Sequence, residues 1–160
     1  MSAFSISDLA ILNGRLGIAP LPGRGGDYAG DLAGLLAWRP DVVVTMTESH
    51  EMDAKGASGL GPALGAAGVT WLHLPLVDFG APDAAFDRAW PEASRRCLDV
   101  LEAGGRVLVH CHGGCGRSGM VCLRLMIEAG EAMPEALARL RAVRACAVET
   151  DGQMAWAMWE

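Results

Sequence analysis

Lysine is nearly absent: Lys55 is the single one among 13 basic residues, so arginine carries almost all of the positive charge. Nineteen acidic residues outnumber these, and a net charge of −6 excludes broad attraction to nucleic acid or to an anionic membrane, while leaving room for a local basic pocket. No apolar run approaches the roughly 20 residues that span a bilayer. There is no internal repeat, no low-complexity tract and no long charge run. Five cysteines, Cys97, Cys111, Cys115, Cys122 and Cys146, form neither an even set nor a spaced framework. With no charged-then-apolar leader in Met1–Asn13, the expectation is a cytoplasmic chain with reduced thiols and no membrane partner.

What is present is a 160-residue chain that is 51% apolar and 20% charged, which reads as one globular domain over residues 1–160 with a buried core. Residues Asp8–Pro20 predict two short strands joined at Asn13-Gly14, a dipeptide that tolerates positive φ. Pro20–Gly26 is loop. A helix capped by Asp27 follows and stops before Pro40. The β-branched run at Val42, Val43 and Val44 fits a strand covered on both faces. After it, the polar stretch Thr47–Glu51 reads either as a solvated loop or as a pocket wall, because ligands gather at the carboxyl ends of parallel strands.

Ser58–Ala67 reads as a weak helix and Val69–Leu76 as another strand, with His73 a hydrogen-bonded strand residue rather than a base. From Ala84 to Ala103 the apolar residues keep helical spacing, Pro91 predicts a kink or a late start, and Gly104-Gly105 ends the helix. Arg106–His110 is a strand. The segment after Arg117 is apolar nearly all round, as a central helix would be, with Cys122 as a packing residue. Pro134 opens the next helix, whose buried stripe is Leu137, Leu140 and Val143, and Arg139, Arg141 and Arg144 read as an exposed face. A last helix carries Trp156 and Trp159. Strands separated by helical segments indicate an α/β fold with a mostly parallel central sheet flanked by helices.

The chemistry concentrates in Val107–Gly119, where a strand, a glycine-rich turn and a helix follow one another. Such a turn points backbone N–H groups inward and adds a helix N-terminus, which makes an anion site with Cys111 at its mouth. The same amides, with Arg117, favour a thiolate at Cys111. Arg117 can also hold two phosphate oxygens in a planar fork, and Gly113, Gly114 and Gly116 let the backbone curl around the anion.

The run His110-Cys111-x5-Arg117-Ser118 resembles the signature loop of the cysteine-dependent protein phosphatases, the tyrosine and dual-specificity superfamily, and is similar to its compact kinase-associated type. Leu74–Asp83 resembles that family's general-acid segment, and Val143–Gln153 its C-terminal glutamine segment. The resemblance implies a protein-tyrosine-phosphatase-like fold, no cofactor and no metal, and a phosphorylated protein or peptide as substrate, through phosphotyrosine, with phosphoserine and phosphothreonine as further candidates. It implies Cys111 as nucleophile forming a cysteinyl phosphate, with Arg117 and the amides of His112, Gly113, Gly114, Cys115 and Gly116 as the phosphate cradle. By the same resemblance Asp78 is general acid and then base, Ser118 bonds the departing thiolate, His110 positions the cysteine, and Gln153 orients the water.

Asp83 is the rival acid, but it reads better as the N-cap of the following helix. Cys115 is a candidate for a protective bridge to Cys111, against which the tightness of the shared loop argues. A zinc site on His110, Cys111, His112 and Cys115 would draw four ligands from one short loop, where structural sites normally pair separated segments. A nucleotide-binding loop fails for want of its lysine. The remaining alternatives are a rhodanese-like sulfurtransferase and a catalytically silent phosphate-reading module. Oligomeric state is not readable from the sequence.

Overall fold

A computed structural model of the chain describes residues 4–159. Its sheet has five strands in the order β1-β2-β5-β3-β4. β1 (Ser7–Ile11) and β2 (Gly14–Ala19) form an antiparallel hairpin, and β2, β5 (Arg106–His110), β3 (Val42–Thr45) and β4 (Thr70–His73) run parallel. Seven helices among the described residues complete it: α1 (Tyr28–Ala37), α2 (Ser49–Ala54), α3 (Leu60–Ala66), α4 (Ala84–Glu102), α5 (Gly116–Glu128), α6 (Glu135–Val143) and α7 (Asp151–Met158). This is the expected α/β architecture. No described helix is long and apolar enough to cross a membrane.

The two-residue period of the strands divides the core between the two faces of the sheet. Leu16, Ile18, Val42, Val44, Val107 and Val109 join a cluster with the apolar sides of α4, α5, α6 and α7, while Ala19, Val43 and Leu108 meet α1 and α3 on the other face. Because β3 and β5 are covered on both faces, their sequences are continuous apolar runs rather than alternating ones. Parallel pairing also sets the carboxyl ends side by side: Ala19 and Thr45 both register with His110. The loops that leave these ends therefore meet in one place.

An aromatic cluster joins three helices on the α4 face. Trp156 of α7 stands edge-on to Phe86 (5.4 Å) and Trp90 (5.0 Å) of α4, and the Arg124 guanidinium of α5 lies 4.8 Å from its ring. The Trp90 indole donates to Glu128 and the Trp156 indole to Asp87, so both polar edges are satisfied.

Several expectations need correcting. In the hairpin the left-handed residue is Leu12 (φ 52) rather than Asn13 or Gly14. Gly14 is glycine for another reason: a Cβ there would collide with the Gly105 carbonyl. Thr47–Glu51 is not open loop, since Ser49 begins α2, whose N-cap Glu48 forms a capping box with Glu51. α4 does not start late but runs from Ala84 through Pro91; proline lies on its exposed side, where the Asp87 carbonyl it frees can meet water. Gly105 N–H returns to the Val100 carbonyl and Gly104 N–H to that of Leu101, closing α4 with the double bond expected of a glycine terminus. Val143 is exposed, and the buried side of α6 is Ala136 and Leu140.

The cysteines differ most from expectation. Cys115 and Cys146, 31 residues apart, form a disulfide, whereas Cys97, Cys111 and Cys122 are free and buried. The bridge partner of Cys115 is therefore Cys146 and not Cys111, and the thiols are not all reduced. Burial pushes the Cys97 thiol up to about 12 and Cys122 higher still, so both act as small apolar packing residues.

The close approach at Gly14 can be tested against an open glycine. Gly14→Ala should lose roughly 2 kcal/mol or more in urea unfolding, because the carbonyls it meets belong to backbone that cannot step aside. Gly59→Ala, at φ −85 with no heavy atom within 4 Å of the new carbon, should stay within about 0.5 kcal/mol of the parent.

Candidate active site

The signature loop leaves β5 at His110 and enters α5 at Gly116. Its nucleophile candidate, Cys111, is 3% exposed, and its Sγ lies 3.1 Å from the Ser118 Oγ in the first turn of α5. That contact sets a hydroxyl beside the sulfur and uses an i to i+7 reach that only the curl of the loop permits.

Behind the loop, His110 is fully buried in a chain of polar contacts. The Trp71 indole donates to Thr45 Oγ1 at 2.7 Å, which lies 2.7 Å from His110 Nε2, and His110 Nδ1 lies 3.4 Å from the Cys111 carbonyl. An indole only donates and a carbonyl only accepts, so every atom is satisfied when Thr45 donates to Nε2 and Nδ1–H points at Cys111. Burial lowers His110 to about 4, which leaves it neutral and unsuited to shuttling protons.

Arg117 is the most constrained side chain of the site. Its guanidinium is solvent-inaccessible and makes a two-point pair with Glu51, Nη1 to Oε2 and Nη2 to Oε1, both at 2.8 Å. Nη1 also donates to the carbonyls of Leu76 (2.8 Å) and Met46 (3.4 Å). Burial works against its charge, but the Glu51 hydrogen bonds outweigh this, with help from Cys111 and Asp78, and raise the group above its ordinary value. Burial likewise works against the Glu51 carboxylate, and the Arg117 and Glu48 hydrogen bonds hold it below the usual range. With the end of the fork committed to Glu51, the side edge remains. Nη2 there lies 3.3 Å from Asp78 Oδ1, and the buried Nε–H has no acceptor among the described residues.

Asp78 sits at the head of the loop between β4 and α4, half-exposed, with its Oδ1 accepting from Phe79 N. Asp83 caps α4 by accepting from Phe86 N at 2.9 Å. Asp83 is thus the helix cap that was expected, while Asp78 faces the arginine. His73 donates from Nε2 to the Thr47 carbonyl at 2.7 Å.

His112 is half-buried, and burial, followed by the field of Arg24, holds it below its ordinary value. Gly113, Gly114, Cys115 and Gly116 line the curl. Of the zinc candidates, His110 is engaged by Thr45 and Cys115 by Cys146, so the four do not converge. Gln153 is buried within the α7 capping box: its Oε1 accepts from Glu149 N (2.9 Å) and Thr150 N (3.2 Å), and its Nε2 donates to the Gly80 carbonyl at 3.4 Å. A Cβ at Gly116 would stand 3.0 Å from that Nε2, so the amide lies between the signature loop and the acid segment.

Four residues escape a reading of motifs. Glu51 was visible only as part of a polar stretch after a strand; the need of a buried arginine for a counter-charge was the available signal. Thr45 and Trp71 are ordinary strand residues. Arg144, assigned to an exposed face, is instead half-buried and donates to the carbonyls of Gly113 and Gly114.

A family model described as dual specificity phosphatase, catalytic domain, matches residues 63–159, and the chain belongs to that family of cysteine-based phosphatases. It is 34% identical over 79 residues to the cyclin-dependent kinase inhibitor 3 of Rattus norvegicus, a stretch covering 48% of this chain and 36% of that one. The chain thus spans about a third of the length of this curated relative. Among solved structures, a kinase associated phosphatase with its catalytic-site cysteine replaced by serine superposes with a TM-score of 0.83 at 23% identity, over 99% of this chain and 94% of that one. Tk-PTP in the active form gives 0.69 at 32% identity, over 92% and 91%.

Two measurements bear on the buried groups. An unfolded histidine binds a proton near pH 6.5 and His110 only near 4, so the unfolded state holds more protons between these values and stability falls as pH drops through the window. The loss should total on the order of 3 kcal/mol in denaturant titrations and be largely missing in His110→Asn. Glu51→Gln should lower kcat/KM for an aryl phosphate by about 10²-fold through loss of arginine alignment, with the protein still folded by circular dichroism.

Proposed function

We propose that the protein hydrolyses phosphotyrosine on proteins or peptides, and phosphoserine or phosphothreonine where they reach the loop, through a cysteinyl-phosphate intermediate. The observation that carries this is the free edge of Arg117. Its Nε–H is buried without an acceptor among the described residues, its Nη2 faces Asp78, and the arginine stands in the first turn of the helix that follows the Cys111 loop. A tetrahedral dianion supplies acceptors for this edge and for the loop amides together.

In the first step the Cys111 thiolate attacks phosphorus, the bond to the ester oxygen breaks, and that oxygen takes the proton of the Asp78 carboxyl. Arg117 and the loop amides bind the equatorial oxygens, whose charge is best matched in the transition state. In the second step Asp78, now ionised, removes a proton from water. The water oxygen attacks phosphorus, the sulfur–phosphorus bond breaks, and Ser118 donates to the departing thiolate. His110 contributes no proton and holds the Cys111 peptide in place. Gln153 has both lone pairs of its oxygen directed to Glu149 and Thr150, so its amide N–H is what remains to orient that water.

Phosphotyrosine, phosphothreonine and phosphoinositide substrates should be compared on the parent and on Cys111→Ser. Turnover of the phosphopeptides by the parent, with capture but no release by the variant, is the expected outcome; turnover confined to the lipid would replace the protein substrate. In the same assay Asp78→Asn should lower kcat by about 10²-fold or more and abolish its dependence on a protonated acid. Asp83→Ala should cost about 1 kcal/mol of stability with kcat nearly intact, as expected of a lost helix cap.

A further inference from the structure

An anion-binding loop works only if its peptide units face the right way, and here the outer side of the loop accounts for every one. The His110 carbonyl accepts from Met46 N at 3.0 Å and the His112 carbonyl from Leu21 N at 3.1 Å. The Cys111 carbonyl faces His110 Nδ1. The Cys115 carbonyl accepts from Gly119 N (2.9 Å) and Val148 N (3.2 Å). A peptide unit is planar and trans, so a carbonyl held outward turns the N–H of the next residue inward, toward the phosphate.

The Gly113 and Gly114 carbonyls are different. Among the described residues no backbone donor reaches either, and the sulfurs nearest them, at 3.6 Å and 3.8 Å, belong to the Cys115–Cys146 bridge and have no hydrogen to give. They are also the units most free to turn over, since both flank Gly114, whose φ is +72. A single side chain holds them: Arg144 donates from Nε to the Gly114 carbonyl at 2.9 Å and from Nη2 to that of Gly113 at 3.4 Å. Gly114 has no room for anything but hydrogen, because a Cβ would collide with that guanidinium and lie 2.7 Å from the Ala19–Pro20 backbone.

We infer that Arg144 is a positioning residue for the phosphate cradle, acting through the Gly113 and Gly114 carbonyls to keep the N–H groups of Gly114 and Cys115 turned inward. The inference rests on the phosphatase reading for its catalytic consequence and on the loop geometry for the rest. The segment after α6 is built around the task. Arg141 donates to the carbonyls of Ala147 and Val148 (2.9 and 3.0 Å) and so folds the segment back on its helix. Gly119 lets it approach α5, since a Cβ there would be 2.5 Å from Val148 N. The disulfide then fastens Cys146 to the residue that follows the two glycines. Arg144 Nη1 reaches Ser7 Oγ at 3.2 Å and Ser5 at 3.4 Å, which aims the guanidinium from behind.

A purely structural arginine would fail differently from one that sets the loop. Arg144→Gln and Arg144→Lys should be assayed for aryl-phosphate turnover, for binding of orthovanadate followed by calorimetry, and for thermal midpoint. Arg144→Gln should lower kcat/KM by about 10²-fold and weaken vanadate by a similar factor. Arg144→Lys, which keeps the charge but can reach one carbonyl rather than two, should recover part of both with a midpoint close to the parent. Cys146→Ser should lose less than Arg144→Gln, because the arginine bonds remain. Unchanged kinetics and vanadate affinity in folded Arg144→Lys and Arg144→Gln, or in Arg144→Lys alone should the other not fold, would overturn the inference. A parent that binds vanadate without turning over any phosphate ester would instead count against the phosphatase reading, and a parent that binds no vanadate against both.

Discussion

The buried ion pair of Arg117 and Glu51 is the contact on which the site depends. A guanidinium with no solvent exposure is expensive to hold unless its charge and its donors are matched. The matching groups come from four places in the chain: Glu51 from α2, the Met46 carbonyl from the end of β3, the Leu76 carbonyl and Asp78 from the acid segment, and the arginine itself from α5. One side chain therefore ties the loop of Cys111 to the segment that carries Asp78. Glu51 takes the end of the fork and offsets the cost of its burial, while the buried Nε–H stays without an acceptor among the described residues.

Sheet topology makes this convergence possible. Parallel strands bring the carboxyl ends of β2, β3 and β5 together, so the loops carrying Leu21, Met46 and Cys111 leave the sheet as neighbours. They bond one another through backbone groups, so the ends of the loops are fixed relative to one another. Preorganisation of this kind spares the reaction the cost of turning dipoles toward charge as it develops. The polar chain from Trp71 through Thr45 to His110 is the same strategy applied inside the sheet, where a neutral imidazole is worth more than a charged one.

What the sequence disclosed and what it hid follow from range. Local rules found the strands, the Asp27 and Asp83 caps, the glycine stop after α4 and the Cys111–Ser118 loop, because each is decided within a few residues. The resemblance of Leu74–Asp83 to an acid segment added Asp78, which no periodicity would have singled out. Hidden were the pairings across the chain. Glu51 lies 66 residues from Arg117 and Cys146 lies 31 from Cys115. Arg144 was misread for the same cause: three arginines close together in the sequence read as an exposed face, and only the fold reveals that the one at the C-cap of α6 ends against the signature loop. Gly14 shows a subtler limit, since a turn was predicted correctly while the reason for its glycine lay in Gly105, on the far side of the sheet's second strand pair.

The aromatic cluster of Phe86, Trp90 and Trp156 has a use apart from packing. Its members stand on α4, which begins where the acid segment ends, and on α7, which carries Gln153; Arg124 of α5 lies against the Trp156 ring. Indole emission responds to nearby charge and to the angle of neighbouring rings, so a shift of α4 relative to α7 alters the light these residues give. The chain thereby carries its own optical gauge of how α4 and α7 sit against each other, with no dye attached.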